Sequence, residues 1–358
     1  MKIYKSLMVA SAALAMSSCT DLNNPLEDIN ISVQTSEEVT LENNVITVNR
    51  NTPVKFNIVG EPDNITFYSG ETGHNFDYRK RTLIDPSQIK SSVMTFDIEN
   101  QYSTDAANEN LYNMYISETF QGLNKEDFSA DCQLLSEFTE WQEWVPSDQL
   151  PQKANEKKSY ELDLLPYLGK NITLAIHYHP QPLTATIVQP KVHFRNFKII
   201  NTLFNGTEEV LYPSGLGFTP VNLWSADLSS VEIDANLKKN DGYYDGNGNI
   251  IESALWYGTV TNNIWGMWNL SSANTGYFYV HSTPADKGLR PSWLVSDYLL
   301  INKCTPDEGV AIKNISNRLD SYEYAYSEPG TYRAVFVLNN ANYKEEDSKV
   351  ITMIINVK

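Results

Sequence analysis

The chain has 358 residues and a formal net charge of −17, with 21 tyrosines and 7 tryptophans. This acidic balance argues against nucleic acid and anionic membrane surfaces as partners, because both would repel the protein. The length predicts two domains or one large one. Runs of β-branched and aromatic residues, broken by Gly, Pro, Asn and Asp, dominate the sequence and predict an all-β fold.

The N-terminus has the pattern of a bacterial secretion signal. Lys2 and Lys5 precede an apolar run over residues 7–16 that is too short to cross a bilayer as a helix. The next residues, ending in Ser-Ser-Cys19, resemble the lipobox of bacterial lipoproteins, in which the Cys thiol is diacylated and the signal is cut just before it. This resemblance predicts a signal peptide over 1–18 and a lipid on Cys19 that holds the protein on a membrane. The alternative is an ordinary secretion signal followed by an incidental Cys.

The two ends of the mature chain are expected to form one domain behind a polar, acidic tether over 19–36. The strands predicted there are Val45–Val48, Val54–Val59, Ile65–Ser69, Ser321–Tyr326, Thr331–Leu338 and Val350–Val357. The segments 52–71 and 322–339, the second with its Pro-Gly-Thr-Tyr turn, resemble the opening strands and closing hairpin of a PKD-type immunoglobulin-like sandwich. The resemblance implies a discontinuous sandwich over 37–87 and 301–358. The alternative is two separate partial modules.

The middle of the chain, 88–300, is predicted to be an inserted β-domain. Its predicted strands are Val93–Glu99, Leu111–Ser117, Ser159–Leu164, Ile172–Tyr178 and Val192–Ile200. Trp141 and Trp144, the segment 162–170 and the strand 172–178 follow one another in an order that resembles the galactose-binding-like jelly roll of secreted bacterial proteins. The resemblance implies a jelly-roll-like sandwich interrupting the PKD-like one.

An aromatic cluster between residues 256 and 279 favours a binding surface in this insert. Sugar rings present apolar C–H faces that stack on Trp and Tyr, and interleaved asparagines can bond to sugar hydroxyls. One or two rings are expected to be exposed, and the alternative is that the rings fill a sandwich core. The candidate glycan contacts are Trp256, Tyr257, Trp265 and Trp268, with Tyr243 and Tyr244 beside an Asp-Gly-Asn-Gly hairpin as further candidates.

Other chemical patterns in the sequence are weaker. His177, His179 and His193 could hold zinc if two neighbouring strands brought them together. Pro180 directly follows His179, which places His179 at the end of its strand, and we predict no metal site. The segment 241–252 lacks the Gly and Glu spacing of an EF-hand, so a hairpin is favoured over a calcium loop. The sequence contains no recognisable nucleophile elbow or phosphate-binding glycine loop, and its many carboxylates single out no catalytic pair. We therefore predict a protein that is not an enzyme and has no cofactor.

The chain as a whole resembles a family of Bacteroidota lipoproteins that are encoded beside SusC/SusD-type outer-membrane uptake systems, notably through 65–73 and 290–296. The resemblance implies a lipid-anchored outer-membrane protein, exposed at the cell surface, that takes part in polysaccharide utilisation. It favours a non-catalytic protein that binds an oligo- or polysaccharide as an accessory to such a system. Two alternatives are a peptide-binding or structural accessory subunit of an outer-membrane transporter, and an enzyme with an unrecognised carboxylate pair. An oxidising compartment would permit a disulfide between Cys132 and Cys304.

We expect replacement of Cys19 by Ala to release the protein from the membrane, because stable anchoring depends on the acyl chains. The measurement is fractionation of cells that express the wild type or Cys19→Ala, followed by carbonate extraction. The wild type should stay with the outer membrane and the variant should become soluble. A variant that still resists extraction would contradict the lipobox interpretation.

Overall fold

The computed structural model describes residues 29–182, 189–227, 234, 236–237, 241–341 and 346–358. These residues are organised mainly as β-strands, which confirms the predicted all-β class. The α-helix α1 spans Phe128–Glu137. The strands are β1 (Asn30–Val33), β2 (Val39–Glu42), β3 (Val45–Val48), β4 (Val54–Val59), β5 (Asn64–Tyr68), β6 (Ile89–Gln101), β7 (Tyr112–Ser117), β8 (Gln142–Val145), β9 (Lys157–Asp163), β10 (Asn171–Tyr178), β11 (Lys191–Leu203), β12 (Glu208–Leu211), β13 (Thr219–Asn222), β14 (Trp268–Asn269), β15 (Phe278–Val280), β16 (Ser292–Val295), β17 (Leu299–Leu300), β18 (Val310–Lys313), β19 (Ser321–Tyr324), β20 (Gly330–Ala341) and β21 (Glu346–Val357).

The chain divides into two compact units. Unit 1 combines the described residues of Met1–Thr82 with those of Thr305–Lys358, and unit 2 is formed by those of the intervening Leu83–Cys304. The boundaries expected from the sequence, after residues 87 and 300, lie a few residues from these.

Unit 1 is assembled from strands of both chain ends. Sheet I has the order β1-β4-β19, and sheet II has the order β18-β5-β20-β21-β3-β2. Strands β4 and β19 pair antiparallel, as do β5 and β20, while β21 and β3 pair parallel. Each sheet therefore needs both the first and the last part of the chain.

The core of unit 1 lies between these two sheets. Phe56 of sheet I and Phe67 and Phe336 of sheet II are buried, and the rings of Phe56 and Phe336 meet edge to face at 5.0 Å between centroids. The neighbouring residues of β4 alternate with the buried ones and are less buried. This period of two is what made the strands recognisable in the sequence.

The prediction of a tether over 19–36 is wrong for the last part of this segment. Asn30–Val33 forms β1, which pairs with β4, and Ile31 is buried in the core of unit 1. Ile29 and Ile31 alternate with polar residues, and this strand period was hidden by the polar average of the segment. The predicted lipidation site, Cys19, and the predicted signal peptide, 1–18, lie outside the described residues.

Unit 2 is built around two further six-stranded sheets. Sheet III has the order β13-β16-β10-β7-β8, with β17 paired to β10, and sheet IV has the order β14-β15-β11-β6-β9, with β12 paired to β11. Leu174 and Ile176 of β10 face Phe194 and Ile199 of β11 in one apolar core. Cys132 and Cys304 both belong to this unit and are not joined by a disulfide.

Sheet III is covered by apolar side chains on its second face as well. Ala175, which alternates with the core residues of β10, packs with Trp293 and Val295 of β16 in a separate cluster. Helix α1 contributes Phe128 and Leu135 to the same cluster. Within the described residues, no helix is long and apolar enough to cross a membrane.

Gly70 follows β5 in a conformation that favours glycine, with φ of +86°. A Cβ there would lie 2.7 Å from the backbone nitrogen and 2.8 Å from the backbone oxygen of Arg333. Gly73 has a similar φ of +80°, but a Cβ there would meet open space. A comparison of alanine substitutions at the two glycines therefore distinguishes the cost of backbone strain from the cost of steric overlap.

We expect Gly70→Ala to destabilise the protein by about 2–4 kcal/mol, because it adds overlap with β20 to the left-handed strain. Gly73→Ala, the matched control, should cost only the strain of about 1–2 kcal/mol. Urea unfolding of both variants measures the difference. Equal losses of stability would contradict the close approach of Gly70 to β20.

Candidate aromatic binding site

Two of the six aromatic candidates are buried in apolar cores, so their prediction as ligand contacts is wrong. Trp268 is 0% exposed and its indole N–H donates to Ser292 Oγ at 2.8 Å. Tyr243 is 1% exposed and its hydroxyl donates to the Thr259 carbonyl at 2.7 Å. Each ring buries its apolar body and satisfies its polar tip inside the protein, as core Trp and Tyr residues do.

The other four candidates are partly exposed, and each of them also contacts other residues of the protein. Tyr257 donates its hydroxyl to Asp131 Oδ2 at 2.7 Å. Trp265 has the Lys287 ammonium 5.3 Å above its ring. Tyr244 belongs to the turn over 244–250, packs against the cluster around Tyr243 and bridges to Ile250. The fourth candidate, Trp256, lines a cleft.

Trp256 is held in place by its backbone. The side-chain amide of Asn222, which is fully buried, donates to the carbonyl oxygens of Leu255 at 2.7 Å and Gly258 at 3.1 Å. The Asn222 backbone N–H donates to the Trp256 carbonyl at 2.9 Å. Asn222 ends β13, so these bonds tie the segment that carries Trp256 to the end of a strand in sheet III.

The indole ring is supported by helix α1. Phe128, the first residue of α1, lies parallel to Trp256, with 5.2 Å between ring centroids and 18° between planes. Phe128 is 5% exposed and belongs to the cluster on the second face of sheet III. Trp256 is partly exposed, and no hydrogen bond of its indole N–H is found among the described residues. The ring is thus positioned while its polar edge stays available.

The start of α1 is organised by two carboxylates. Asp127 caps the helix by accepting a bond from the Ala130 N–H at 3.0 Å. Asp131 is 1% exposed and accepts from the backbone N–H groups of Asn124 and Lys125 as well as from Tyr257. Burial and the Asp131 carboxylate raise the pKa of Tyr257 well above its usual value. Tyr257 is therefore a neutral structural donor that links its segment to the helix.

These elements enclose a cleft of about 440 Å³ in unit 2. Among the described residues, its lining consists of three carboxylates, two serine hydroxyls, one alanine and the edge of an aromatic pair. No cationic side chain belongs to this described lining. The lining residues are Glu126, Asp127, Phe128, Ser129, Ser225, Ala226, Glu252 and Trp256. The cleft can accept hydrogen bonds from hydroxyl groups and repels anions.

The sequence indicated Trp256 but not the residues of α1 that complete the cleft. Asp127 followed by Phe-Ser-Ala is a helix N-cap pattern, and it could have located Phe128 on the first turn of a helix. It could not have placed that turn beside Trp256, because the two segments are far apart in the chain.

The three histidines considered for zinc are divided between two sheets. His177 and His179 share one face at the end of β10, with ring centroids 4.6 Å apart, whereas His193 lies on β11 of sheet IV. His177 stacks on Trp293 with centroids 3.9 Å apart, and burial and the neighbouring His179 lower its pKa to about 3. His177 is therefore part of the packing over sheet III.

The turn beside Tyr244 uses its carboxylate internally. Asp245 Oδ1 accepts from the backbone N–H groups of Asn247 and Asn249, and Oδ2 accepts from the Asn249 side chain. These bonds are those of an Asx turn, and they lower the pKa of Asp245.

A family model described as Domain of unknown function (DUF5017) matches residues 27–214. The match covers more than half of the chain, which therefore belongs to this family. It takes in β1–β12 and α1, and it ends before Trp256. The search of curated proteins found no match.

Trp268→Ala should destabilise the protein by about 3–5 kcal/mol, since it leaves a large cavity in the core of unit 2. Trp265→Ala, at a partly exposed ring outside that core, should cost about 1 kcal/mol or less. Thermal melts and urea midpoints of the two variants give the comparison. Similar losses in both would contradict the assignment of Trp268 to the core and Trp265 to the surface.

Proposed function

We propose that this member of the DUF5017 family is a non-catalytic glycan-binding protein that takes a neutral oligosaccharide in the Trp256 cleft. The observation that carries the proposal is the positioned, partly exposed indole of Trp256 at the edge of a cleft lined by carboxylates and hydroxyls. Stacking on a rigid ring, with oxygen acceptors beside it, matches the amphipathic character of a sugar.

The Phe128–Trp256 pair supplies the apolar part of this recognition. A sugar loses conformational freedom when it binds, so a ring that is already fixed adds little further entropic cost. Phe128 and the backbone bonds to Asn222 limit the movement of Trp256. A pyranose C–H face can therefore stack on a surface that needs little rearrangement.

The carboxylates supply the polar part and favour a neutral ligand. Glu126 and Glu252 line the cleft beside Trp256 and can accept bonds from sugar hydroxyls. Hydrogen bonds to a charged acceptor are stronger than those between neutral groups. An anionic sugar would meet three carboxylates there and would be repelled.

The proposed setting is the cell surface, with Cys19 lipidated and the protein assisting a SusC/SusD-type uptake system. This part rests on the sequence pattern at 1–19 and on the resemblance of the chain to lipoproteins of that type. A surface protein that holds oligosaccharides without cleaving them would raise their local concentration at a transporter.

We expect the wild type to bind at least one neutral polysaccharide and Trp256→Ala to bind it about tenfold or more weakly. Tenfold corresponds to about 1.4 kcal/mol, a modest share for a central aromatic contact. Affinity electrophoresis over a panel of neutral polysaccharides identifies the ligand, and calorimetry with its oligosaccharide gives the affinities. Trp265→Ala is the matched control and should bind like the wild type.

Thermal melts of both variants must stay near that of the wild type for the comparison to be valid. Equal binding by Trp256→Ala and the wild type would place the ligand elsewhere. A panel without any retarded wild-type band would reject the proposed function, and release of reducing sugar from the ligand would show an enzyme instead.

A further inference from the structure

A row of basic and aromatic side chains lies on the face of sheet IV that is turned away from the unit 2 core. Val192 and Phe194 of β11 point into the core, so the alternating Lys191, His193 and Arg195 point to the other face. On the neighbouring strand β15, Tyr279 lies opposite His193. The row therefore concentrates cationic side chains at one place in an acidic protein.

Lys191 is only 9% exposed, yet its ammonium contacts neutral groups alone among the described residues. It lies 4.0 Å above the ring of Tyr279 and donates to Asn263 Oδ1 at 3.3 Å. The Tyr279 hydroxyl also donates to Asn263 Oδ1, at 2.8 Å, and accepts from Asn269 at 2.8 Å. None of the ion pairs found among the described residues includes Lys191, whereas Arg195 on the same strand pairs with Glu99. Buried ammonium groups are normally paired with an anion, so this one is unusual.

The second cation of the row is already neutralised. Arg195 lies 3.5 Å from Glu99 and 4.8 Å above the ring of Tyr277, and it also approaches His193 Nδ1 at 3.2 Å. His193 in turn bonds to the Tyr277 hydroxyl and to Gln101, each at 2.9 Å. Among the described residues, Lys191 is therefore the cation of this row that has no carboxylate partner.

Two histidines beside Lys191 are held in the neutral form. Burial, then Arg195 and Lys191, lower the pKa of His193 to about 4, against the opposing effect of Glu99. Burial and Lys191 lower the pKa of His281 to about 4, against the opposing effect of Asp234. Nδ1 of His281 is buried and has no hydrogen-bond partner among the described residues. The neighbourhood thus contains an ammonium with no carboxylate in direct contact among the described residues and a buried ring nitrogen without a hydrogen-bond partner.

We propose that Lys191, positioned by Tyr279 and Asn263, binds the carboxylate of an acidic sugar of the uronic acid class. Because Asn263 is exposed, the ligand would approach from its side. A carboxylate carries one negative charge and so matches one ammonium, whereas the second charge of a dianion would be repelled by Glu99 and Asp234 without a further cation to offset it. Asn263 and Gln101 add neutral groups that suit sugar hydroxyls.

The carboxylate site is distinct in chemistry from the Trp256 cleft, which repels anions. Only the assignment to a sugar rests on the proposed function. A glycan with both neutral and acidic residues could use both sites, each for a different part of its structure.

The test uses the full mature protein and an oligogalacturonate, with its fully methyl-esterified form as the uncharged counterpart. We expect the wild type to bind the free acid about tenfold or more tightly than the ester. Lys191→Met should lose this preference, while Lys198→Met, on the same strand beyond the bulge that follows Arg195, should keep it. Thermal melts show whether each variant is folded.

Asn263→Asp tests the same charge without removing Lys191. The new carboxylate would take the place of the ligand beside the ammonium, so oligogalacturonate binding should fall about tenfold or more, with the melting temperature unchanged or raised. In the wild type, the bound acid should raise the pKa of His193 and His281, which histidine NMR titration measures.

The outcomes separate this inference from the proposed function. Equal binding of acid and ester, or unaltered binding by folded Lys191→Met, overturns the carboxylate site even if neutral glycans bind at Trp256. Lys191-dependent binding of the acid without any neutral ligand keeps the carboxylate site and rejects the cleft. Lys191-dependent binding of a peptide with a free C-terminal carboxylate, but not of oligogalacturonate, overturns the assignment to a sugar.

Discussion

Burial of strand β10 on both faces is the constraint on which the candidate cleft depends. Leu174 and Ile176 fill the core of unit 2, while Ala175 belongs to the cluster on the opposite face. A strand of this kind needs a second apolar layer, because a bare face would leave Ala175 and its neighbours in water. Helix α1 supplies part of that layer through Phe128 and Leu135. The support under Trp256 is thus a by-product of covering a sheet.

The strands of unit 1 could be predicted well because their pattern is local. Val54–Val59 alternates between the core and more exposed positions over its whole length, and the structure gives β4 the same bounds. The N-terminal strand β1 was missed for the opposite reason, since averaging over 19–36 concealed the alternation around Ile31. Alternation over a few residues was therefore a better guide than the composition of a segment.

The candidate site could be predicted only in part because burial of an aromatic ring is decided by distant residues. Trp256 and Trp268 lie close together in a Trp- and Asn-rich stretch, and nothing local separates them. Trp268 becomes core because β14 joins sheet IV and Ser292 accepts its N–H. Trp256 remains partly exposed because its neighbour is the first turn of α1. Lys191 could not be predicted from the sequence for the same reason, because only the structure shows that it contacts Tyr279 and Asn263 and has no carboxylate partner among the described residues.

The interleaved order of unit 1 has a consequence for how the protein is made. Strands β4 and β5 leave the ribosome early, but their partners β19 and β20 follow only after the roughly 220 residues of unit 2. Closing so long a loop slows folding, and unpaired strand edges invite association with other chains during the delay. Unit 2 is continuous in sequence and can complete its sheets first. Strand β4 can pair early with β1 but keeps its other edge open, and β5 gains both of its partners only from the C-terminal part of the chain. Biogenesis should therefore depend on chaperones that shield these open edges until the C-terminus arrives.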